Sequence, residues 1–261
     1  MSENAPPLRQ AMTIAIIPAA GSGVRMGEVR PKQFLDIDGR PILAITLMSF
    51  ELCKEVDAII VVTPKADVSY CQEEIIKKYN LTKVVKVVAG GERRQDSVRC
   101  GLEATSGNYQ WILIHDGVRP IVSKMDIESV IFAAKTHRAV ITGLPARETV
   151  KEVDDEQKVV CTHDRRRMWL IQTPQLFRYQ DIMEAHTKAL KEGWQEATDD
   201  SQLIERLGIP VKVIKGSERN IKVTTPNDLE LARFLLRQDK DIIEQSSRRP
   251  PLSGQHIKND S

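Results

Sequence analysis

Three stretches of this chain place glycines beside cations: PAAGSGVRMG at 18–27 followed by PKQFL, AGGERRQDS at 89–97, and HDGVRP at 115–120. In the first, Gly21 and Gly23 lack side chains, so backbone N–H groups can approach an anion, and Arg25 and Lys32 bring positive charge. A polyphosphate suits such a loop; an ordinary glycine turn with solvated cations is the structural alternative. The glycines at 21, 23 and 27 read G-x-G-x-x-x-G, one residue longer than the dinucleotide fingerprint. Pro31 and KQFLDIDG also delay any helix until Pro41, whereas a dinucleotide loop opens directly into one. Both features count against an NAD-dependent dehydrogenase.

In the second stretch Gly90 and Gly91 permit close backbone approach, and a helix is expected from Asp96 or Ser97. In the third, an apolar strand delivers Asp116 and Arg119 to one sheet edge, to address a ribose, a metal-bound phosphate or each other. Lys222 lies in NIKVT, read as a short strand, where a lysine is less routine than on a helix surface. His115, His137, His163 and His186 show no ligand spacing, and no nucleophile stands in a G-x-S-x-G elbow. The chemistry implied needs neither a covalent intermediate nor a histidine base.

These loops need a scaffold, and apolar runs at 13–19, 57–63, 83–89 and 111–116 read as buried strands. Helical stretches lie between them, at 41–53, 65–79 and 124–137, the last opened by Ser123 with Asp126 three residues on. The alternation implies a doubly wound, mostly parallel α/β sheet, whose ligands sit at the carboxyl ends of the strands. After AVITGLPA, the segments RETVKEV and KVVCTHD read as a hairpin arm turning at 154–157. Isolated hairpins are marginal in water, so the arm is expected to pack on a partner subunit. Helices near 179–192 and 201–207 follow, then the strand VKVIKG and a final helix capped by Thr225, Pro226 and Asp228. Beyond about Gln238 the chain reads as a loose tail, and residues 1–12 as an N-terminal extension to one domain spanning 13–238.

Lysine and arginine number 38 against 36 aspartates and glutamates, so no global field attracts nucleic acid. No apolar run approaches the length of a membrane span. Cys53, Cys71, Cys100 and Cys161 lack paired short spacing, so buried free thiols in a reducing cytoplasm are expected.

In order along residues 13–237, PAAGSGVRMG with PKQFL, GGERRQDSV, HDGVRP, PARETVK, DRRRMW, QTPQLF, ATDD and NIKVTTPNDL resemble the 2-C-methyl-D-erythritol 4-phosphate cytidylyltransferases. The resemblance implies a Rossmann-like nucleotidyltransferase fold and a homodimer joined through the arm at about 146–167. It implies CTP and methylerythritol phosphate as substrates, with Mg2+ as cofactor and no protein ligand assigned to it. Arg25 and Lys32 would stabilise charge on the triphosphate, and Ala19, Ala20, Gly21 and Gly23 would shape the nucleotide loop. Gly91, Glu92 and Ser97 match the cytosine-reading segment, with Glu92 standing where some relatives carry aspartate. Asp116, Gly117 and Arg119 match the ribose and metal-side segment, with Gly117-Val118 replacing Ala-Ala. Thr149, Lys151, Arg165 and Lys222, together with Asp116, match positions that hold methylerythritol phosphate, with catalytic Arg165 and Lys222 positioning its phosphate for attack and Thr149 and Arg165 serving the partner's site. The alternatives are a ribitol 5-phosphate cytidylyltransferase, which differs around the sugar-phosphate contacts, and a non-catalytic nucleotide-sensing module.

Overall fold

The computed structural model describes residues 12–21, 31–106, 109–194 and 197–247, the last with backbone alone beyond 238. The sequence TIAII makes β1 (Thr13–Pro18) apolar on both faces, so the strand sits inside the sheet with helices on either side. The following β2 (Asp36–Ile37) and β3 (Arg40–Pro41) form a small separate hairpin, and β8 (Val150–Val153) with β9 (Val159–His163) forms the arm.

Seven strands make the main sheet: β1, β4 (Ala58–Thr63), β5 (Val84–Ala89), β6 (Trp111–Ile114), β7 (Ala139–Pro145), β10 (Trp169–Arg178) and β11 (Lys212–Lys215). Their spatial order is β11-β7-β10-β6-β1-β4-β5. Only β10 runs against its neighbours, pairing antiparallel with both β6 and β7, so the expected doubly wound, mostly parallel sheet is present.

The period of two along β1 divides the core. Ala15 and Ile17 face α1 (Ile42–Glu51), the π-helical stretch Cys71–Lys77 that continues α2 (Val68–Tyr70), and α4 (Lys124–Ala133). Ile14 and Ile16 face α3 (Arg94–Glu103), α5 (Tyr179–Glu192) and α6 (Asp200–Arg206). A third cluster joins Ile37 of β2 to Ala232 of α7 (Pro226–Ser247). Fully buried Phe50 and Leu47 each contribute about 2 kcal/mol through removal from water. No helix among the described residues is long and apolar enough to cross a membrane.

Several elements differ from expectation. NIKVT is not a strand: Asn220 is anchored through side-chain contacts, and Val223 N–H donates to Val118 O at 2.9 Å from a loop that offers no ladder. The α3 helix starts at Arg94 rather than Asp96, because the Asp96 carboxylate accepts from the Arg93 N–H three residues back and closes the first turn there. The long strand β10 has no counterpart in the sequence reading, since Pro174 interrupts its pattern where the pairing register shifts. The α7 helix continues past Gln238 to Ser247 through a run free of glycine and proline, and the rest of the expected tail, 248–261, lies outside the described residues. Cys100 and Cys161 are half-buried rather than buried, the latter because it lies on the arm. The caps at Ser123 and Thr225 form as expected, each closed by the acid three residues on.

Candidate functional site

Loops leaving β1, β5 and β6 meet at the carboxyl edge of the sheet. Their backbones extend the strand ladder, with Ala19 N–H donating to Val62 O, Gly90 N–H to Thr63 O and Gly117 N–H to Pro18 O, at 2.7–3.1 Å. Small residues allow this convergence: a Cβ on Gly117 would sit 2.8 Å from Ala19 Cβ, and one on Gly90 would sit 2.5 Å from Ala20 Cβ. Gly90 is therefore needed for loop packing. Gly21 faces open space instead, with only Lys32 Cε at 4.0 Å from the position of an added Cβ.

Asp116 lies at the centre, 5 % exposed. One carboxylate oxygen accepts from Arg94 Nε at 3.0 Å; the other meets Lys222 Nζ at 3.0 Å and Arg119 Nε at 3.3 Å. Burial by itself would raise this carboxyl, but Arg94, Lys222 and Arg119 outweigh it and hold Asp116 well below the usual carboxylate range. Arg94 also reaches Asp200 Oδ2 at 2.6 Å, and Asp200 Oδ1 lies 3.1 Å from His186 Nε2. Burial likewise opposes ionisation of Asp200, and Arg94 and His186 more than offset it, so its pKa is lowered. Around Asp116 itself three cations, Arg94, Arg119 and Lys222, face a single carboxylate, which favours an anionic ligand beside it.

A second network fixes the Asp116 loop from behind. Asp116 N–H donates to Thr173 Oγ1 at 3.1 Å, Thr173 Oγ1 lies 3.1 Å from His115 Nδ1, and His115 Nε2 lies 3.2 Å from Arg119 O. A carbonyl only accepts, so Nε2 carries the proton, and Nδ1 accepts from the threonine hydroxyl. Complete burial pushes His115 down to about 3, and the ring stays neutral. His115 is thus a structural tie and lines neither of the cavities beside Asp116.

Two cavities open on either side of the carboxylate. The smaller, about 180 Å³, is lined by the loop residues Ala19, Ala20 and Gly21 together with Lys32, and across from them by Gly91, Glu92 and Ser97. The larger, about 490 Å³, is walled by Arg119, Gln172, Thr173, Gln175 and the start of α6. Arg94, Asp116 and Lys222 line both. A further cavity of about 530 Å³, between α1 and Leu236 of α7, contains none of these loop residues.

The fold therefore gathers Ala19, Ala20, Gly21, Lys32, Gly91, Glu92, Ser97, Asp116, Arg119 and Lys222, with Gly117 buried just behind. Gly23 and Arg25 lie outside the described residues. Thr149, Lys151 and Arg165 are exposed on or beside the arm and line neither cavity; Lys151 Nζ instead donates to Thr162 Oγ1 at 2.7 Å across the hairpin, and Arg165 Nη1 donates to Arg147 O at 2.6 Å. Sequence reasoning missed Arg94, Thr173 and Asp200. Two signals were available: the second arginine of GGERRQDS, and the adjacent acids of ATDD at the start of a helix.

Asp116 and Glu92 are the carboxylates that line the smaller cavity, and Asp116 is already engaged by three cations. That donor set is no preassembled cage; it fits a Mg2+ ion that arrives on polyphosphate oxygens and keeps water ligands.

Residues 13–238 match the family model of 2-C-methyl-D-erythritol 4-phosphate cytidylyltransferase. The enzyme of that name from Syntrophus aciditrophicus is 45 % identical over 230 residues, covering 88 % of this chain and 98 % of its own. Its counterpart from Caldanaerobacter subterraneus is 42 % identical over 224 residues, covering 86 % and 98 %. The crystal structure of 4-diphosphocytidyl-2C-methyl-D-erythritol synthase from Anaerococcus prevotii superposes with a TM-score of 0.77 at 36 % identity, covering 87 % of this chain and 99 % of that one. The family match spans the residues that build the sheet and line both cavities, and the chain belongs to the 2-C-methyl-D-erythritol 4-phosphate cytidylyltransferase family.

Proposed function

We propose that the protein transfers the cytidylyl group of CTP to 2-C-methyl-D-erythritol 4-phosphate, forming 4-diphosphocytidyl-2-C-methyl-D-erythritol and pyrophosphate. The observation that carries the assignment of the two substrates is the shared wall of the cavities. CTP is assigned to the side of the smaller one, with its triphosphate by the Ala19–Gly21 loop and Lys32, and its base against Gly91, Glu92 and Ser97. The sugar phosphate fits the larger one, and both substrates meet at Arg94, Asp116 and Lys222.

A phosphate oxygen of methylerythritol phosphate attacks the α-phosphorus of CTP; the new P–O bond forms as the bond to the bridging α–β oxygen breaks, and pyrophosphate leaves with that electron pair. The nucleophile is already an anion at neutral pH, so no side chain has to remove a proton. The burden is to bring two anions together and to neutralise charge that grows in the transition state. Lys222 is held by Asp116 at the junction, where it can draw the attacking phosphate toward the α-phosphorus. Lys32 lines the triphosphate side, and Arg25 is assigned the same role from its place in the loop sequence. Arg119 is fixed on Asp116 and on Asn220 O, and so holds the carboxylate instead of meeting solvent. When bound, Mg2+ would supply charge neutralisation on the triphosphate, and Asp116 and Glu92 are the carboxylates lining that cavity that would hold it.

The arm is proposed to join two copies of the chain and to carry Thr149, Lys151 and Arg165 to the partner's larger cavity. Val153, Val159 and Val160 are 51–60 % exposed, and Leu170 at the start of β10 is 64 % exposed, an apolar strip that a second copy would cover. The proposed compartment is the reducing cytoplasm, supported by four cysteines present as free thiols.

The decisive experiment follows pyrophosphate release from CTP and Mg2+ with methylerythritol phosphate or ribitol 5-phosphate as acceptor. Release with the former and far less with the latter is expected. Equal or reversed rates overturn the acceptor assignment, and no release with either overturns the transfer reaction.

A further inference from the structure

The arm gathers three unlike donors that the transfer reaction does not use. Glu152 on β8 stands opposite Cys161 on β9, and His163 pairs with Val150, two residues from Glu152. Because side chains alternate along a strand, Glu152, Cys161 and His163 share one face, while the Lys151–Thr162 pair occupies the other.

The three ligand atoms converge. Cys161 Sγ lies 3.2 Å from Glu152 Oε2 and 3.5 Å from His163 Nε2, and that nitrogen lies 3.2 Å from the same carboxylate oxygen. A tetrahedral zinc ion, about 2.3 Å from sulfur and about 2.0–2.1 Å from nitrogen and oxygen, spaces its ligand atoms about 3.3–3.6 Å apart. The hairpin already holds its donors at nearly the edges of that tetrahedron. Among the described residues this is the one group of three such side chains so arranged.

We propose that the arm is a zinc site, with Glu152, Cys161 and His163 as protein ligands and water in the fourth position. Thiolate with imidazole selects a borderline-soft ion over Mg2+, which prefers oxygen alone. Cys161 enters as a thiol that donates to Glu152, so zinc replaces the thiol proton, which leaves to solvent. His163 binds through the Nε2 lone pair with its proton on Nδ1. No electron is transferred. The ion cross-links β8 to β9 and braces a hairpin that is marginal by itself.

Sequence spacing hides such a site, because Glu152 comes from the opposite strand and only Cys161-x-His163 is adjacent.

The test uses the full chain without nucleotide or sugar phosphate, so its outcome is independent of the transfer reaction. Added Co2+ is expected to bind once per chain with a thiolate-to-cobalt charge-transfer band, which Zn2+ bleaches. Cys161→Ser should abolish the band, and Cys100→Ser should leave it intact. Competition against a chromophoric chelator should show Zn2+ affinity falling by about tenfold or more in Glu152→Gln and His163→Ala. A wild-type protein without the band, a band that survives Cys161→Ser, or equal zinc affinity in all variants overturns the proposal.

Discussion

The sheet edge and the arm carry similar side chains under opposite conditions. At the edge, Asp116 is almost fully buried, so its charge persists only because Arg94, Arg119 and Lys222 surround it. On the arm, the Asp164–Arg166 pair has side chains 43 % and 85 % exposed, and water screens it. The edge is thus assembled within one chain before any ligand arrives, whereas the arm leaves cations solvated and valines uncovered. Preorganisation is strong where chemistry is to occur, and the arm reaches its working geometry only against something else.

The sharpest way to break this contrast is to remove each carboxylate. Asp116→Ala leaves three cations facing one another and should lower stability by about 3–5 kcal/mol in urea denaturation, as expected for a broken buried ionic group. Asp164→Ala should leave the midpoint unchanged. Similar losses at both positions would mean that the edge is not the pre-formed region.

Activity should separate from stability at the triphosphate side. Lys32→Ala removes a cation that acts on developing charge, so kcat/KM for pyrophosphate release should fall by about 3 kcal/mol of transition-state stabilisation, with the melting temperature nearly unchanged. A large loss of melting temperature with normal turnover would make Lys32 a structural residue.

Acid should weaken the edge first through His115. His115 titrates at about 3 in the folded chain and near 6.5 when unfolded, so the unfolded state binds the extra proton between these values. Stability is fully present above about 6.5 and should decline as pH falls, by up to about 1.4 kcal/mol per unit. Asp116 and Asp200, whose folded pKa values are lowered, add to the loss only below about 4. His115→Gln should flatten the limb between about 4 and 6.5 in pH-dependent denaturation, and an unchanged limb would remove His115 from the account.

How far this contrast could be read from the sequence depends on the range of each interaction. Apolar runs such as TIAII and WILI, and the caps at Ser123 and Thr225, declare themselves locally, and they gave most of the sheet. The strand at 169–178 did not, because Pro174 breaks its alternation and its burial comes from β6 and β7 on either side. At the site, Lys32 and Asp116 were marked by loop position, and Lys222 as a lysine in NIKVT, read as a strand. Arg94 was not, since its importance lies in joining Asp116 to Asp200, residues 22 and 106 positions away. Gly90 was marked as a ligand-approach position, yet it answers first to the methyl group of Ala20, as Gly117 does to that of Ala19.

The smallest expected effect tests whether the arm completes a neighbour's site. Lys222→Ala disables a cavity and Arg165→Ala disables an arm, so each protein alone should be nearly inactive. If each arm serves the partner, a mixed dimer has one site carrying both lesions and one carrying neither. Random exchange of equal amounts makes half the dimers mixed, so the mixture should regain roughly a quarter of wild-type activity, since the isologous pairing gives each mixed dimer one intact site. If each arm served its own cavity, every site would carry one lesion and mixing would restore nothing. Recovery must also require subunit exchange, so it should grow during incubation before the assay and be absent when the two proteins are combined only at the moment of measurement.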